Sequence, residues 1–240
     1  MELADAADAV TLPRFRSRDL RVDTKADLSP VTDADRSAER ALRERIATDR
    51  PGEGVLGEEE GDDGSPRAAA GGPIPRPGHA RWIVDPIDGT RNFSRGIPVW
   101  ATLIALERNR EVVCGVVSAP ALGRRWWAAR GEGAFADGVA IHVSEVTELT
   151  QASVSCSYGR DLATLEPLTW HARGLGDFWQ HMLVAEGALD AAVDSTLSIW
   201  DYAAVEPIVS EAGGRFGPMG EQWVSSNARV HDAVVAALTS

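Results

Sequence analysis

Apolar positions along the chain recur with two periods, and the points where one gives way to the other predict an alternation of helices and strands. Ala34, Ala38, Leu42 and Ile46 make the apolar face of a helix expected over residues 33–50, closed by Pro51-Gly52. Leu3, Ala6, Val10 and Phe15 share a helical spacing in residues 2–17, where Pro13 should end or kink the helix. Strands are expected at 20–22, 55–56, 82–84, 152–158 and 189–193. A hairpin is read at 99–106 and 112–117 around the polar turn 107–110, and a further strand pair from 124–130 to 141–143. A helix is expected over 178–187 and another, bent by Pro207, over 200–212, and the tail 223–238 reads as a strand and a short helix. Residues 61–79 are rich in Gly, Pro, Ala, Asp and Arg without any period, which predicts a flexible excursion or lid.

At 240 residues and 44% hydrophobic, the chain can bury a large core as one domain or two tightly joined lobes. Its net charge of −12 would repel a polyphosphate backbone, which argues against nucleic acid as a partner. An anionic substrate would need bound cations to enter. Cys114 and Cys156 stand far apart with no metal-ligand spacing, so neither a disulfide framework nor a zinc site is supported. No apolar run reaches bilayer-spanning length and the first residues carry no secretory pattern, so the expected location is cytoplasmic, with no membrane partner.

The candidate chemistry gathers where Trp82-Ile83-Val84 runs into Asp85-Pro86-Ile87-Asp88-Gly89-Thr90. A strand there should deliver two carboxylates into a tight turn, with Pro86 fixing φ and Gly89 free to take a positive one. Two ionised carboxylates held together repel unless a cation lies between them, and hard oxygen ligands suit Mg²⁺. A helix starting near Thr90 would add an anion seat for a phosphate. The same residues are also ordinary turn and cap chemistry. Three further acidic stations carry the same ambiguity: Asp33 and Asp35 at a helix start, Glu58 where a strand leaves the core, and Asp201 at another helix start. Asp177 followed by Gln180 reads as a capping box, and the basic-aromatic residues 124–130 as a half-buried sheet face.

Taken together and in this order, Val31-Thr32-x-x-Asp35, Gly57-Glu58-Glu59, the run 85–93 and Trp200-Asp201-x-Ala203-Ala204 through Gly213-Gly214 resemble the magnesium-dependent, lithium-sensitive phosphatases of the inositol monophosphatase family. The resemblance implies a layered αβαβα sandwich, divided into an N-terminal lobe (residues 1–140) carrying most ligands and a C-terminal lobe (141–240). It implies that Glu58, Asp85, Asp88 and Asp201, with the carbonyl of Ile87, hold two or three Mg²⁺ ions, roughly 4 Å apart. Asp35 and Thr90 match the pair that orients the attacking water, Glu58 stands with them in the catalytic set, and the amides of Gly89 and Thr90 match the phosphate seat.

Residues 94–103, 119–127 and 173–179 are similar to the histidinol-phosphatase branch of that family. There Asp177 and Asp194 face the organic part of the substrate, where a carboxylate would hold an ammonium, and Arg173 touches the substrate or its phosphate. The implied activity is hydrolysis of L-histidinol phosphate to L-histidinol and phosphate in histidine biosynthesis, by a homodimer acting on a small phosphate monoester. The alternatives are inositol monophosphate or another small phosphomonoester, and a non-catalytic binding member of the same fold. Two departures bear on substrate access: a long Gly/Pro-rich span before Arg81 and a short region between Tyr158 and Trp170.

Overall fold

The computed structural model describes residues 1–63, 80–157 and 159–239; the excursion read at 61–79 lies outside them from residue 64 onward. Five layers alternate helix and sheet. Helices Glu2–Arg14 and Asp33–Asp49 cover the outer face of an eight-stranded sheet. Helices Asp177–Ala185 and Val205–Glu211 fill the space between it and a five-stranded sheet. Helices Gly159–Leu165 and His231–Thr239 close the far side. The larger sheet takes its strands from residues 54–140 and the smaller from 153–226. No helix among the described residues is long and apolar enough to cross a membrane.

The strand Ala80–Asp88 lies inside the larger sheet, parallel to Gly54–Gly57 and antiparallel to Ala101–Arg108. Its apolar run does not alternate because both faces are covered. Ile83 packs toward the middle helices with Leu103 and Trp126, while Val84 packs toward the first two helices with Leu42 and Ile46. The strand also continues further than expected. Asp85 and Asp88 are both in it, and the chain turns only at Gly89, whose φ of 81° a side chain would resist.

Several expectations are corrected. The first helix buries Ala4, Ala7 and Thr11 rather than Ala6 and Val10, and Pro13 lies within its last turn. The strand expected at 20–22 forms instead at Val22–Thr24, paired with Pro30–Thr32. Residues 141–143 are not a strand, because the meander ends with the short pair Gly133–Ala136 and Val139–Ala140. The helix expected over 200–212 is two, Ile199–Tyr202 and Val205–Glu211. Pro207 cannot donate to the carbonyl four residues back and its ring crowds that carbonyl, so the helix divides before Val205 rather than merely bending. The strand Arg215–Met219 at the edge of the smaller sheet was not expected at all.

The break in this helix packs directly against the larger sheet at Gly115, where an added Cβ would lie 2.3 Å from the Ala204 carbonyl oxygen. Neither backbone can withdraw without moving a strand or a helix. Gly115→Ala is therefore expected to lower stability by roughly 2–3 kcal/mol through overpacking, read as a lower urea midpoint at an unchanged m-value.

Candidate active site

The parity of the central strand explains its two carboxylates. In a regular strand residues three apart point to opposite faces. Here Asp85 pairs with Leu103 but Asp88 with Ala101, so one extra residue is inserted between them, a β-bulge. The insertion turns both side chains to the same side. It falls between Asp85 and Asp88, where Pro86 has no N–H to give to the ladder and its carbonyl accepts from the buried Thr102 hydroxyl at 2.8 Å.

Asp201 joins them from the short helix Ile199–Tyr202, and oxygens of Asp85, Asp88 and Asp201 lie within 4.8 Å of one another. Each is held by a backbone N–H. Asp85 accepts from Ile87 at 3.0 Å, Asp88 from Phe178 at 2.6 Å, and Asp201 from Ser198 at 2.6 Å in a capping box. Asp201 is thus both a helix cap and a member of the cluster. The Phe178 contact also corrects the capping box expected at Asp177: Asp88, from the other sheet, caps the helix Asp177–Ala185, whose first residue makes no side-chain cap.

Asp35 enters from the helix Asp33–Asp49. One oxygen accepts from the Thr32 amide at 2.8 Å, closing a capping box, and the other lies 3.2 Å from the Thr90 hydroxyl. That hydroxyl is also 2.9 Å from the Ile87 carbonyl. Glu58 stands outside the 4.8 Å trio, paired with Lys25 at 2.7 Å, and Lys25 also reaches Glu59 at 2.6 Å.

Lys25, Glu58, Asp88, Thr90 and Asp201 border a cavity of about 690 Å³, which is also lined by Gly89, Arg91, Asp177, His181 and Asp194. Asp177 takes a positive φ of 50° and accepts from Asn92 Nδ2 at 3.0 Å. Asp194 is 7% exposed and accepts from Gln180 at 3.1 Å. Arg173 is not brought to the cavity. It is exposed on the edge strand His171–Arg173 with its guanidinium on His171.

Sequence reasoning missed the residues that support the site. Glu39 is fully buried and accepts from the amides of Glu59 and Glu60 at 2.7 and 3.0 Å, fixing the backbone that follows the strand Gly54–Gly57. A Cβ on Gly57 would lie 2.2 Å from the Glu39 carboxylate, so the glycine was the available signal. Gln180 and Asn92 gave none, since each acts on residues remote in the chain.

Burial and mutual repulsion push these acids up together. Burial first, then the charge of Glu58, raises Asp85 well above the usual carboxylate range; burial, then Asp177, does the same for Asp88. Burial lifts Asp35 and Asp177 to about 6 and Asp201 and Glu59 to about 7. At an effective dielectric of ~20, two unit charges some 4–5 Å apart repel by about 4 kcal/mol. All-oxygen and at most half-exposed, the trio fits a hard divalent cation, with Asp85, Asp88 and Asp201 as the residues that would hold it.

With this geometry in view, the comparisons with known proteins agree. The model of the inositol monophosphatase family matches residues 1–238. The histidinol-phosphatase of Mycobacterium tuberculosis is 48% identical, over 100% of this chain and 96% of that protein. The histidinol-phosphatase of Streptomyces coelicolor is 44% identical, over 98% and 94%. Among solved structures, an IMPase of Thermotoga maritima superposes with a TM-score of 0.88 at 31% identity, over 99% of this chain and 94% of that one.

A carboxyl group whose folded pKa is raised binds protons more tightly folded than unfolded, so stability falls as pH rises between the unfolded and folded values. Asp35, Asp177, Asp201 and Glu59 place that window between about pH 4 and about pH 7. In EDTA the thermal midpoint is expected to fall from about pH 5 to about pH 8, with a divalent cation raising it more at the higher pH. A midpoint that climbs over this range in EDTA would contradict the clustered, uncompensated carboxylates.

Proposed function

This chain belongs to the inositol monophosphatase family and is a phosphate monoester hydrolase, and from that premise we propose that it converts L-histidinol phosphate to L-histidinol and phosphate. The observation that carries this choice of alcohol is the pair of carboxylates, Asp177 and Asp194, in the wall of the cavity that Asp88 and Asp201 also line. Histidinol is a primary amine, protonated at neutral pH, and a half-buried carboxylate binds such a group far better than it binds a neutral alcohol. The identity to histidinol-phosphatases over essentially the whole chain supports the same reading.

The cation is proposed to be Mg²⁺, since every donor in the acidic cluster is oxygen and the ligand is a phosphate ester. Glu58, Asp85, Asp88, Asp201 and the Ile87 carbonyl would hold two or three such ions, with Lys25 yielding its place on Glu58. Bound there, they supply charge neutralisation of the phosphate oxygens and acidification of a water. The chain's own groups do the rest. The amides of Gly89 and Thr90 bind the phosphate at the turn that φ of 81° makes possible at Gly89. Thr90 and Asp35, joined at 3.2 Å, orient the attacking water and take its proton. With burial holding Asp35 at about 6, the carboxylate is a competent acceptor near neutral pH. Arg173 is left without a role in one chain.

We further assign residues 1–140 and 141–240 to two lobes, on the support of their separate sheets. A homodimer has support in Trp170 and Leu168, which leave apolar surface exposed beside the edge strand that carries Arg173.

The test is phosphate release from L-histidinol phosphate, an inositol monophosphate and a nucleotide monophosphate at equal concentration with Mg²⁺. The first should be hydrolysed fastest, and faster release from the inositol ester would reassign the alcohol. Asp88→Asn should lower kcat by more than about a hundredfold, since loss of a direct ligand exceeds the usual effect of losing a group behind one. Asp177→Ala should lower kcat/KM for L-histidinol phosphate about 10- to 100-fold, the worth of a charge-assisted hydrogen bond, and far less for a neutral alcohol phosphate. Equal losses would leave Asp177 with a structural role only.

A further inference from the structure

The helix Asp177–Ala185 carries Asp177, Gln180 and His181 at spacings that place them on one face, and Asp177 and His181 both line the cavity. Gln180, fully buried, is fully used. Its carbonyl oxygen accepts from Ser155 Oγ at 2.8 Å, whose hydroxyl oxygen in turn accepts from the Leu175 amide at 3.1 Å. This fixes the amide so that its nitrogen donates to Ser157 Oγ at 2.9 Å and to Asp194 at 3.1 Å. Asp194 also accepts from the Ser195 amide at 2.9 Å, so its carboxylate is pinned from both ends.

His181 is only half used. It is 2% exposed, its Nδ1 lies 2.8 Å from Ser225 Oγ, and its ring meets Phe216 edge-on at 5.6 Å. Its Nε2 has no hydrogen-bond partner among the described residues. The nearest acid, Asp194, is 3.8 Å away, too far for a hydrogen bond and held there by Gln180. A buried ring nitrogen left unpaired is destabilising, and this one belongs to a residue in the wall of the substrate cavity.

We propose that His181 Nε2 is a substrate-binding atom that, with the carboxylates of Asp177 and Asp194, accepts a hydrogen bond from the primary ammonium group of the substrate. The inference rests on the reading of the substrate as L-histidinol phosphate and adds to it a specificity residue. A primary ammonium has three N–H donors and no acceptor, so a complete seat needs three acceptors. Two carboxylates supply two. With Nδ1–H donating to Ser225 Oγ, the neutral imidazole presents the Nε2 lone pair as the third. The deep placement of Ser225, fully buried on the strand Gln222–Ser226, holds the ring in that orientation.

The experiment measures kcat and KM for L-histidinol phosphate and for the analogue in which hydrogen replaces the amino group. The enzymes are wild type, His181→Leu, His181→Phe and His181→Gln, each with its thermal midpoint checked. Leu and Phe both remove Nε2, and Phe keeps the ring volume against Phe216, so the test survives if one variant fails to fold. Removing the acceptor is expected to lower the ratio of the two kcat/KM values, amine over analogue, by about tenfold, mostly through KM. Gln, whose amide oxygen can accept, should recover much of that ratio. A wild-type enzyme with no preference for the amine would overturn the substrate reading and this inference with it. A wild-type preference that both Leu and Phe leave intact would overturn the role of His181 alone.

Discussion

The constraint on which this molecule turns is the repulsion among carboxylates gathered in a poorly solvated pocket. Asp35, the strand pair Asp85 and Asp88, and Asp201 come from three separate segments, yet each raises or feels the charge of others in the group. The fold holds them by the same device each time. One oxygen accepts a backbone N–H, from Thr32, Ile87, Phe178 and Ser198 respectively. A backbone donor fixes the carboxylate's rotamer without neutralising its charge, which is the condition for a preformed cation site rather than an internal salt bridge. Lys25 departs from this pattern by pairing with Glu58 and Glu59 at the rim.

Those donors tie the layers together. Phe178 opens a helix of the middle layer, and by accepting its amide Asp88 couples the larger sheet to the helix that carries Asp177, Gln180 and His181. The division of the next helix before Val205 sets Ala204 against Gly115 and leaves Asp201 on the short segment Ile199–Tyr202, beside the central strand. A continuous helix would carry Asp201 differently. The acidic cluster and the wall of the cavity formed by this helix therefore share their supports, so a change in packing between the sheets reaches both.

The cavity itself is uneven along this line. Near the trio, charge is concentrated and unpaired, which suits cations and phosphate. Toward Asp194 and His181, side chains are buried and held by neutral partners, Gln180 and Ser225.

Much of the site was legible in the sequence because its signals are local. A Pro, a Gly and two Asp within four or five residues announce a distorted strand end, and Asp35 and Asp201 at helix starts announce caps, which the structure completes with Thr32 and Ser198. The order of the motifs then carried the family and with it the five layers. What local chemistry could not decide was parity, partnership and direction. Whether Asp85 and Asp88 shared a face depended on a bulge against Ala101 and Leu103, and the cap of the helix at Asp177 came from Asp88 on another sheet rather than from its own first turn. Glu39, Gln180 and His181 find their partners far off in the chain, and Arg173 stands on the edge of a sheet away from the cavity. Residue types and short spacings determine which groups can bind a cation or cap a helix, since those interactions span a single turn. Which of them meet around one substrate is decided only when sheets and helices pack, because that energy belongs to contacts the linear order does not contain.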